Sequence, residues 1–301
     1  MKAYYCDTYD LPLPENHRFP MSKYSELRKR VVQELDEIEL LPPKAASDDQ
    51  LGLAHETAYL SRAISGALDK QDCRALGFPW SEKLIERSRR SSGATIMALE
   101  SALDDMVSVN LAGGTHHAHA DRPQGFCLFN DSVIAAKTIQ QRGLRNYPLI
   151  IDCDVHQGNG TASILQSDAT VFTFSIHGQN NFPANKAVSD LDIGLPDHTV
   201  DKQYLAELEQ GLNKIASQFD ADCVIYIAGA DPYEGDRLGK LSMTKLGLLA
   251  RDKLVFDFCR RFSLPCAVSM AGGYANEVSD IVDIHFQTVK AAQAHFLSHN
   301  H

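Results

Sequence analysis

Short, continuous runs of apolar residues alternate along the chain with longer segments in which apolar residues recur every three or four positions. The runs are typical of strands covered on both faces, and the longer pattern is typical of helices with one buried side. The predicted strands are Lys2–Cys6, Val107–Leu111, Pro148–Cys153, Val171–Ile176, Cys223–Ala228 and Pro265–Met270. The predicted helices are Ser81–Asp105, Asn130–Arg142, Asp201–Gln218, Thr244–Arg261 and Asp280–Leu297.

This order of strands and helices predicts an α/β fold with a mostly parallel central sheet flanked by helices on both faces. Composition changes little along the chain, and no Gly/Ser linker or internal repeat interrupts it. We therefore expect one domain over residues 1–301. The stretch Pro12–Ala46 contains five prolines and no strand signal, so it is predicted to be a loop, a short helix and a second loop.

The charge balance narrows the range of partners. The 301 residues include 29 Lys and Arg against 39 Asp and Glu, a net charge of −10. Such a surface repels nucleic acid and anionic membranes, so neither is expected as a partner. It mildly favours basic substrates, although solubility alone would also explain it. No apolar run approaches the roughly 18 residues that span a bilayer.

The cysteines and the N-terminus indicate the compartment. The chain has seven cysteines, an odd number, and no CxxC pair. Cys153 and Cys223 lie inside apolar runs, where cysteine behaves as a small hydrophobic residue. The first residues, MKAYYCDTYD, do not read as a signal peptide. A soluble protein of the reducing cytoplasm is expected.

Polar clusters follow four of the predicted strands. They read NLAGGTHHAH at Asn110–His119, LIIDCDVHQGNGT at Leu149–Thr161, IYIAGADPYEG at Ile225–Gly235 and SMAGGYA at Ser269–Ala275. In open α/β sheets, ligands bind at the carboxyl ends of the strands. The four clusters are therefore predicted to converge on one crevice.

The second and third clusters contain a candidate metal site. Asp154 and His156 are two residues apart, so in an extended segment they project from the same face. A tetrahedral shell needs a third ligand, and Asp231 ends an otherwise apolar strand. Two carboxylates and one imidazole with an open position are typical of catalytic zinc. The DxDxH pattern alone is equally typical of a solvated acidic loop, but the glycines of the following QGNGT favour the metal site.

Candidate acid–base groups lie in the other clusters. His116 and His117 follow a Gly-Gly turn and are suited to proton transfer near a metal, unless they form a hydrogen-bonded core pair. Asp152 could orient one imidazole and Asn159 the other. The phenol of Tyr274 could donate to an oxyanion, unless the ring only packs at its turn.

Together these segments resemble the histone deacetylase family, whose members share the arginase/deacetylase α/β fold. The resemblance runs from about Lys2 to Leu297 and is densest in GGTHHAHADRPQGFCLFND, IIDCDVHQGNGT, AGADPYEGDRLGKLS and AGGY. The segments HRFPMSKYSELR and EGDRLGKLS are most similar to class IV members and their bacterial relatives. The resemblance implies a single catalytic domain over 1–301 that hydrolyses an acyl-lysine in a protein or peptide, or a small acylated amine.

The resemblance also implies residue roles. One zinc ion per chain would be held by Asp154, His156 and Asp231. His116 and His117 match the tandem active-site histidines, Tyr274 matches the catalytic tyrosine, and Asp152 and Asn159 match the positions paired with the histidines. The substrate tunnel would be lined by Gly125, Phe126, Phe182, Leu238 and Gly273, although plain core packing is the alternative for the two phenylalanines. A structural potassium ion would lie near Asp152, Asp154, His156, Ser175 and Ile176.

Three departures from the family pattern bear on function. Asn159 stands where class I enzymes have an aspartate, and a neutral amide stabilises an imidazolium less than a carboxylate does. This favours His117 as a neutral base and His116, paired with Asp152, as its charged partner. The segment expected at the tunnel rim, Gly77–Trp80, has no acid, which predicts an apolar rim and looser peptide recognition or longer acyl groups.

The third departure concerns acetylated polyamines. Relatives that prefer these substrates have a glutamate near the tunnel mouth, where this chain has Leu238. That replacement disfavours a polyamine substrate, whereas the nearby Glu234 and Asp236 leave it open. Two further alternatives are a non-catalytic acyl-lysine reader and an arginase-like dimanganese hydrolase, which would need more carboxylates than this pattern supplies.

Overall fold

The sequence folds around one eight-stranded parallel sheet. The computed structural model describes residues 1–9, 11, 13–14 and 17–297. Its strands are β1 (Lys2–Tyr4), β2 (Glu39–Leu41), β3 (Val107–Asn110), β4 (Pro148–Asp152), β5 (Phe172–Gly178), β6 (Leu191–Leu195), β7 (Cys223–Ile227) and β8 (Cys266–Ser269). Their order in the sheet is β2-β1-β3-β8-β7-β4-β5-β6, and each neighbouring pair is parallel.

Ten helices accompany the strands in the described part of the chain. They are α1 (Ser22–Glu34), α2 (Asp48–Leu51), α3 (Thr57–Ser65), α4 (Lys70–Leu76), α5 (Glu82–Asp105), α6 (Asp131–Gln141), α7 (Asn159–Leu165), α8 (Asp201–Gln218), α9 (Lys245–Arg261) and α10 (Val278–Leu297). The five helices predicted from apolar spacing are all present, with ends that differ by at most two residues. No described helix has the length and apolar character needed to cross a membrane.

Both faces of the sheet are buried, as the continuous apolar strands predicted. Along β4, Leu149 and Ile151 belong to one hydrophobic core, whereas Ile150 between them belongs to a second core. The first core includes residues of α1, α8, α9 and α10, and the second includes residues of α3, α5 and α6. Successive side chains of a strand point to opposite faces, so each core fills one side of the sheet. The predicted α/β class with helices on both faces is confirmed.

The sequence analysis does not predict β2 and β6, which are the two edge strands of the sheet. β2 has three residues, none of them fully buried, and β6 has partly buried or exposed residues at its centre. An edge strand pairs on one side only, so it needs no long apolar run. The prediction that Pro12–Ala46 contains no strand is therefore wrong at Glu39–Leu41.

The four strands whose ends carry the polar clusters are neighbours. β3, β8, β7 and β4 are consecutive in the middle of the sheet. Because all of them are parallel, their carboxyl ends meet at one edge. The topology thus brings the paired histidines, the DxDxH segment, Asp231 and Tyr274 to one place.

Candidate active site

The loop after β4 is held in shape by its own acidic side chains. β4 ends at Asp152, so Asp154 and His156 lie on a bend rather than on the strand itself. Asp152 Oδ1 accepts from the backbone N–H of Asp154, and Asp154 Oδ1 accepts from that of His156. Such local bonds fold an Asx turn. The orientation of each carboxylate is therefore fixed by a hydrogen bond from the backbone N–H two residues further along the chain.

The neighbouring strand ends fix the same carboxylates from the other side. Asp231 Oδ1 accepts from the backbone N–H of Val155, and Asp154 Oδ2 accepts from that of Gly272. A Cβ at Gly272 would lie 1.9 Å from Asp231 Oδ2, so only glycine allows this close approach. Three strand ends, those of β4, β7 and β8, thus position two carboxylates.

Asp154, His156 and Asp231 form a buried group whose ligand atoms all lie within 4.8 Å of one another. His156 Nδ1 is 3.1 Å from Asp154 Oδ1 and 3.2 Å from Asp231 Oδ2. These spacings are close to the roughly 3.3 Å that separates ligands around a tetrahedral zinc ion. Apart from this contact with His156 Nδ1, the buried Asp231 Oδ2 has no polar partner within the described structure.

The charges of this group also fit a cation. Burial, followed by repulsion from Asp154, raises the pKa of the Asp231 carboxyl to about 7. Two carboxylates buried side by side are unfavourable unless positive charge lies between them. The donor set of two carboxylates and one imidazole suits zinc and matches the predicted ligands.

Each of the paired histidines has a different partner. His116 Nδ1 lies 2.6 Å from Asp152 Oδ2, and His117 Nδ1 lies 2.7 Å from Asn159 Oδ1. Their rings are 4.2 Å apart between centroids. The two orienting partners expected from the sequence are therefore both in place.

The side-chain amide of Asn159 fixes the tautomer of His117. Asn159 Nδ2 donates to Gln124 Oε1 at 2.7 Å and to His119 Nε2 at 3.0 Å, so Oδ1 faces His117 as an acceptor. His117 Nδ1 must then carry the proton. The unprotonated Nε2 is left as the basic nitrogen of a residue that lines the central cavity.

The two histidines differ in charge. Burial would lower the pKa of His116, but the carboxylates of Asp152 and Asp154 outweigh it and raise the pKa to about 9. Burial, with repulsion from the imidazolium of His116 and from His156, lowers the pKa of His117 well below its usual value. The surroundings therefore favour the charged form of His116 and the neutral form of His117.

Tyr274 lies across the cavity from these groups. Its ring centroid is 6.4 Å from that of His156 and 6.0 Å from that of Phe126. Burial, followed by the charges of Asp154 and Asp231, raises the pKa of its phenol well above the usual value. The hydroxyl therefore stays protonated and able to donate a hydrogen bond.

Lys23 supports the Tyr274 loop and was missed in the sequence. It is buried, donates to the carbonyl oxygens of Ala271 and Gly273, and lies 5.4 Å from the centre of the Tyr274 ring. The available signal was its position in the apolar stripe of α1, four residues before Leu27. A lysine on a buried helix face needs acceptors, and these two carbonyls supply them.

The site opens to the surface through a cavity of about 400 Å³. Four of the residues predicted to line a tunnel lie on its wall: Gly125, Phe126, Phe182 and Leu238. The rings of Phe182 and His117 are nearly perpendicular, with centroids 4.9 Å apart, and Phe182 is 41% exposed. Gly273 is not among the described lining residues. It packs behind Tyr274, where a Cβ would meet Ile281 at 2.7 Å.

The prediction of an apolar rim at Gly77–Trp80 is wrong. Gly77 lines the cavity, but Phe78 is buried against Phe19, and Trp80 turns inward to donate to the carbonyl of Ala63. Large apolar side chains were free to pack inward because the second core lies directly behind them. The last turn of α4 instead brings Arg74 to the mouth.

The acids near Leu238 do not line the cavity. Asp236 is half-buried, and its carboxylate accepts from the backbone N–H groups of Leu238, Gly239 and Tyr274. Glu234 is exposed and absent from the described lining residues. Neither acid is therefore positioned to bind a cationic amine in the cavity.

The residues expected around potassium lie next to the metal group. Ser175 of β5 is the cross-strand partner of Asp152, and Ile176 follows it. Both are buried. Asp152, Asp154 and His156 come from the adjacent β4 segment, so the five residues occupy one region.

A sequence model of the histone deacetylase domain matches residues 17–289. The chain belongs to the histone deacetylase family. Members of this family are hydrolases that act on amides, and this chain is one of them. The family resemblance stated from the sequence is confirmed.

Similarity to other members extends over nearly the whole chain. An uncharacterized protein of Picosynechococcus sp. is 43% identical over 291 residues, covering 96% of this chain and 97% of that protein. Histone deacetylase 2 of Arabidopsis thaliana is 28% identical over 292 residues, covering 92% of this chain and 76% of its own. The crystal structure of an HDAC homolog complexed with SAHA has a TM-score of 0.84 at 22% identity, covering 97% of this chain and 83% of that one. The last likeness supports the shared fold.

The wall of this deacetylase-family cavity predicts the effect of one small substitution. A Cβ at Gly125 would lie 2.6 Å from His117 Cδ2, and the residue has a positive φ of 54°. Gly125→Ala should displace the His117 imidazole and lower kcat/KM about 10- to 100-fold. Steady-state kinetics on an acyl-lysine peptide would measure the change.

Gly143 provides the matched control. It also has a positive φ, 66°, but a Cβ there would meet no atom within 4 Å. Gly143→Ala should lower the melting temperature about as much as Gly125→Ala and leave turnover unchanged. Equal losses of activity in the two variants would show that backbone strain, not the His117 contact, is responsible.

Proposed function

We propose that this protein is a zinc-dependent deacylase that hydrolyses the N-acyl amide of an acyl-lysine. The observation that carries the proposal is the buried Asp154, His156 and Asp231 group beside a cavity that His117 and Tyr274 also line. A metal group, a neutral imidazole and a protonated phenol around one cavity are the parts that amide hydrolysis needs. The catalytic domain would comprise the whole chain, residues 1–301.

Asp154, His156 and Asp231 would hold the ion, one per chain. Zinc, when bound, supplies Lewis acidity that polarises an amide carbonyl and makes a water more acidic. No second group of three or more candidate ligands occurs within the described residues. This counts against an arginase-like dimanganese hydrolase, which needs additional bridging carboxylates.

The remaining side chains would move and hold protons. His117, neutral and with Nε2 unprotonated, accepts a proton from the attacking water. Tyr274 donates a hydrogen bond to the oxygen of the carbonyl as negative charge develops there. His116, kept charged by Asp152, stabilises that charge, and a histidine returns a proton to the leaving amine. No covalent intermediate on the enzyme is required, and Cys127, which is buried and outside the lining of the cavity, is not proposed as a nucleophile.

The contact between Asn159 and His117 predicts a change in pH dependence. Asn159→Asp places a carboxylate 2.7 Å from His117 Nδ1 and stabilises the imidazolium. The pKa of His117 rises, so a higher pH is needed to keep the base neutral. The acidic limb of kcat/KM should move upward by about one unit or more.

An exposed position on α8 supplies the control for Asn159→Asp. Asn213→Asp adds the same charge far from the cavity and should leave the pH profile of kcat/KM in place. An unchanged acidic limb in Asn159→Asp as well would refute the assignment of His117 as the base.

A potassium ion near Asp152, Asp154, His156, Ser175 and Ile176 is part of the proposal. The cross-strand pairing of Ser175 with Asp152 supports it, because hydroxyl and carboxylate oxygens suit a hard cation. Replacing potassium by a bulky organic cation in the buffer should lower the melting temperature if this site is filled.

The decisive experiment combines metal analysis with a panel of substrates. We expect about one zinc per chain and turnover of lysine peptides that carry acyl groups from acetyl to myristoyl. Comparison of kcat/KM across the panel identifies the preferred acyl group. Zinc binding without turnover of any peptide would instead indicate a non-catalytic reader.

A further inference from the structure

The charged residues at the mouth of the cavity are cations. Among the described lining residues, the side chains with full charge outside the metal group are Arg18, Arg74 and Lys240, and no Asp or Glu lines the cavity. The chain as a whole carries a net charge of −10. The sign of charge at the mouth is therefore opposite to that of the molecule.

The three cations come from different segments around the opening. Arg18 precedes α1 and its guanidinium lies 5.4 Å from the centre of the Phe126 ring. Arg74 lies in the last turn of α4. Lys240 follows the Leu238 loop and donates to the carbonyl of Asn180 at 2.9 Å. All three are exposed, so they can meet the part of a substrate that remains outside the cavity.

No carboxylate within the described structure neutralises these cations. Among the described residues none of the three has an ion-pair partner, and the nearby carboxylate of Asp236 accepts from three backbone N–H groups. Arg237 adds a fourth cation, because its guanidinium donates to the carbonyl oxygens of Tyr274 and Arg18. Partial burial, followed by repulsion from Lys240, lowers the pKa of Lys186 on the adjacent loop.

We propose that the substrate is an acylated amine with a carboxylate near the scissile amide, most simply an acyl-lysine flanked by acidic residues. This inference rests on the proposed function and names its substrate class. The acyl-lysine chain would enter between Phe126 and Phe182, leaving its flanking groups among Arg18, Arg74 and Lys240. A focused positive potential at a cleft attracts anions and raises their rate of association. The same cations repel acetylated polyamines, whose free amines are protonated.

The test compares peptides that differ only in flanking charge. Each contains one acyl-lysine with the preferred acyl group, flanked by two glutamates, two glutamines or two lysines. We expect kcat/KM for the acidic peptide to exceed that for the basic peptide about tenfold at low ionic strength. Exposed ion pairs each contribute a factor of about two to five, and salt screens them, so the ratio should approach one at 1 M salt.

Arg74 is the residue to change, since its side chain makes no hydrogen bond or ion pair within the described residues. Arg74→Glu should reduce the preference for the acidic peptide at least fivefold, with the effect in KM rather than in kcat. Lys214→Glu on the exposed face of α8 makes the same charge change away from the mouth and should leave the preference intact.

Two small substrates separate the possible sources of the carboxylate. Free Nε-acyl-lysine has an α-carboxylate at the mouth, whereas its α-amide does not. A preference for the free acid larger than that for the acidic peptide indicates a small-molecule substrate, and the reverse indicates a protein segment.

The inference fails separately from the proposed function. Equal kcat/KM for the three peptides, or better turnover of acetylspermidine than of the acidic peptide, overturns the substrate class while leaving the deacylase intact. Absence of turnover with any acyl group overturns the deacylase itself.

Discussion

Asp231→Asn should abolish zinc binding and lower kcat/KM by at least about 1,000-fold. Mutating a residue that only orients a metal ligand typically lowers metal affinity or activity about 10- to 100-fold. Loss of a ligand itself is expected to lower them further. Metal content by elemental analysis and turnover of an acyl-lysine peptide would measure both effects. The amide of asparagine can still accept from the backbone N–H of Val155, so the loop should keep its shape.

Thermal unfolding distinguishes this loss from misfolding. Without metal, the wild-type protein buries the carboxylate of Asp231 beside that of Asp154, with His156 Nδ1 3.2 Å from Oδ2. Removing that charge should leave the metal-free variant at least as stable as the metal-free wild type. Zinc should then raise the melting temperature of the wild type only. A variant that binds zinc and turns over normally would exclude Asp231 as a ligand.

Tyr274→Phe should lower kcat about 100- to 1,000-fold with little change in KM or zinc content. The phenol oxygen is proposed to bind the carbonyl oxygen as charge develops, and loss of one such donor typically has this effect. Phenylalanine keeps the ring contacts with Phe19 and Phe126. Steady-state kinetics with the preferred acyl-lysine peptide would provide both constants.

The half-exposed Tyr147 is a suitable control for the same chemical change. It immediately precedes β4, at the end of the sheet opposite the metal group. Tyr147→Phe should leave kcat and KM unchanged. If Tyr274→Phe raised KM and left kcat alone, the tyrosine would be a binding residue rather than a stabiliser of developing charge.

The sequence predicts the central sheet well and its margins poorly. Six strands are read from apolar runs because the interior of a parallel sheet is buried on both faces. β2 and β6 are missed because each has a neighbour on only one side and tolerates polar residues. α4 is missed for a related reason: its seven residues are too few to display a helical period.

The metal group could be anticipated because its residues follow buried strands, where an acid or histidine stands out. The mouth could not be predicted in the same way. Arg18, Arg74 and Lys240 lie in exposed segments far apart in sequence, where a basic residue is ordinary. The apolar residues of Gly77–Trp80 predicted an apolar rim around the cavity. In the structure Phe78 is buried and Arg74 lines the mouth of the cavity instead.

The order of strands sets when the metal group can first exist during synthesis. β8, the last strand in the described part of the chain, lies between β3 and β7 in the middle of the sheet. A nascent chain that ends between α9 and β8 therefore contains all three candidate ligands but lacks the strand that joins the two halves of the sheet. It also lacks the backbone N–H of Gly272 that donates to Asp154. Metal loading would then follow synthesis of β8, and a chain truncated between α9 and β8 should be a poor zinc binder although it keeps Asp154, His156 and Asp231.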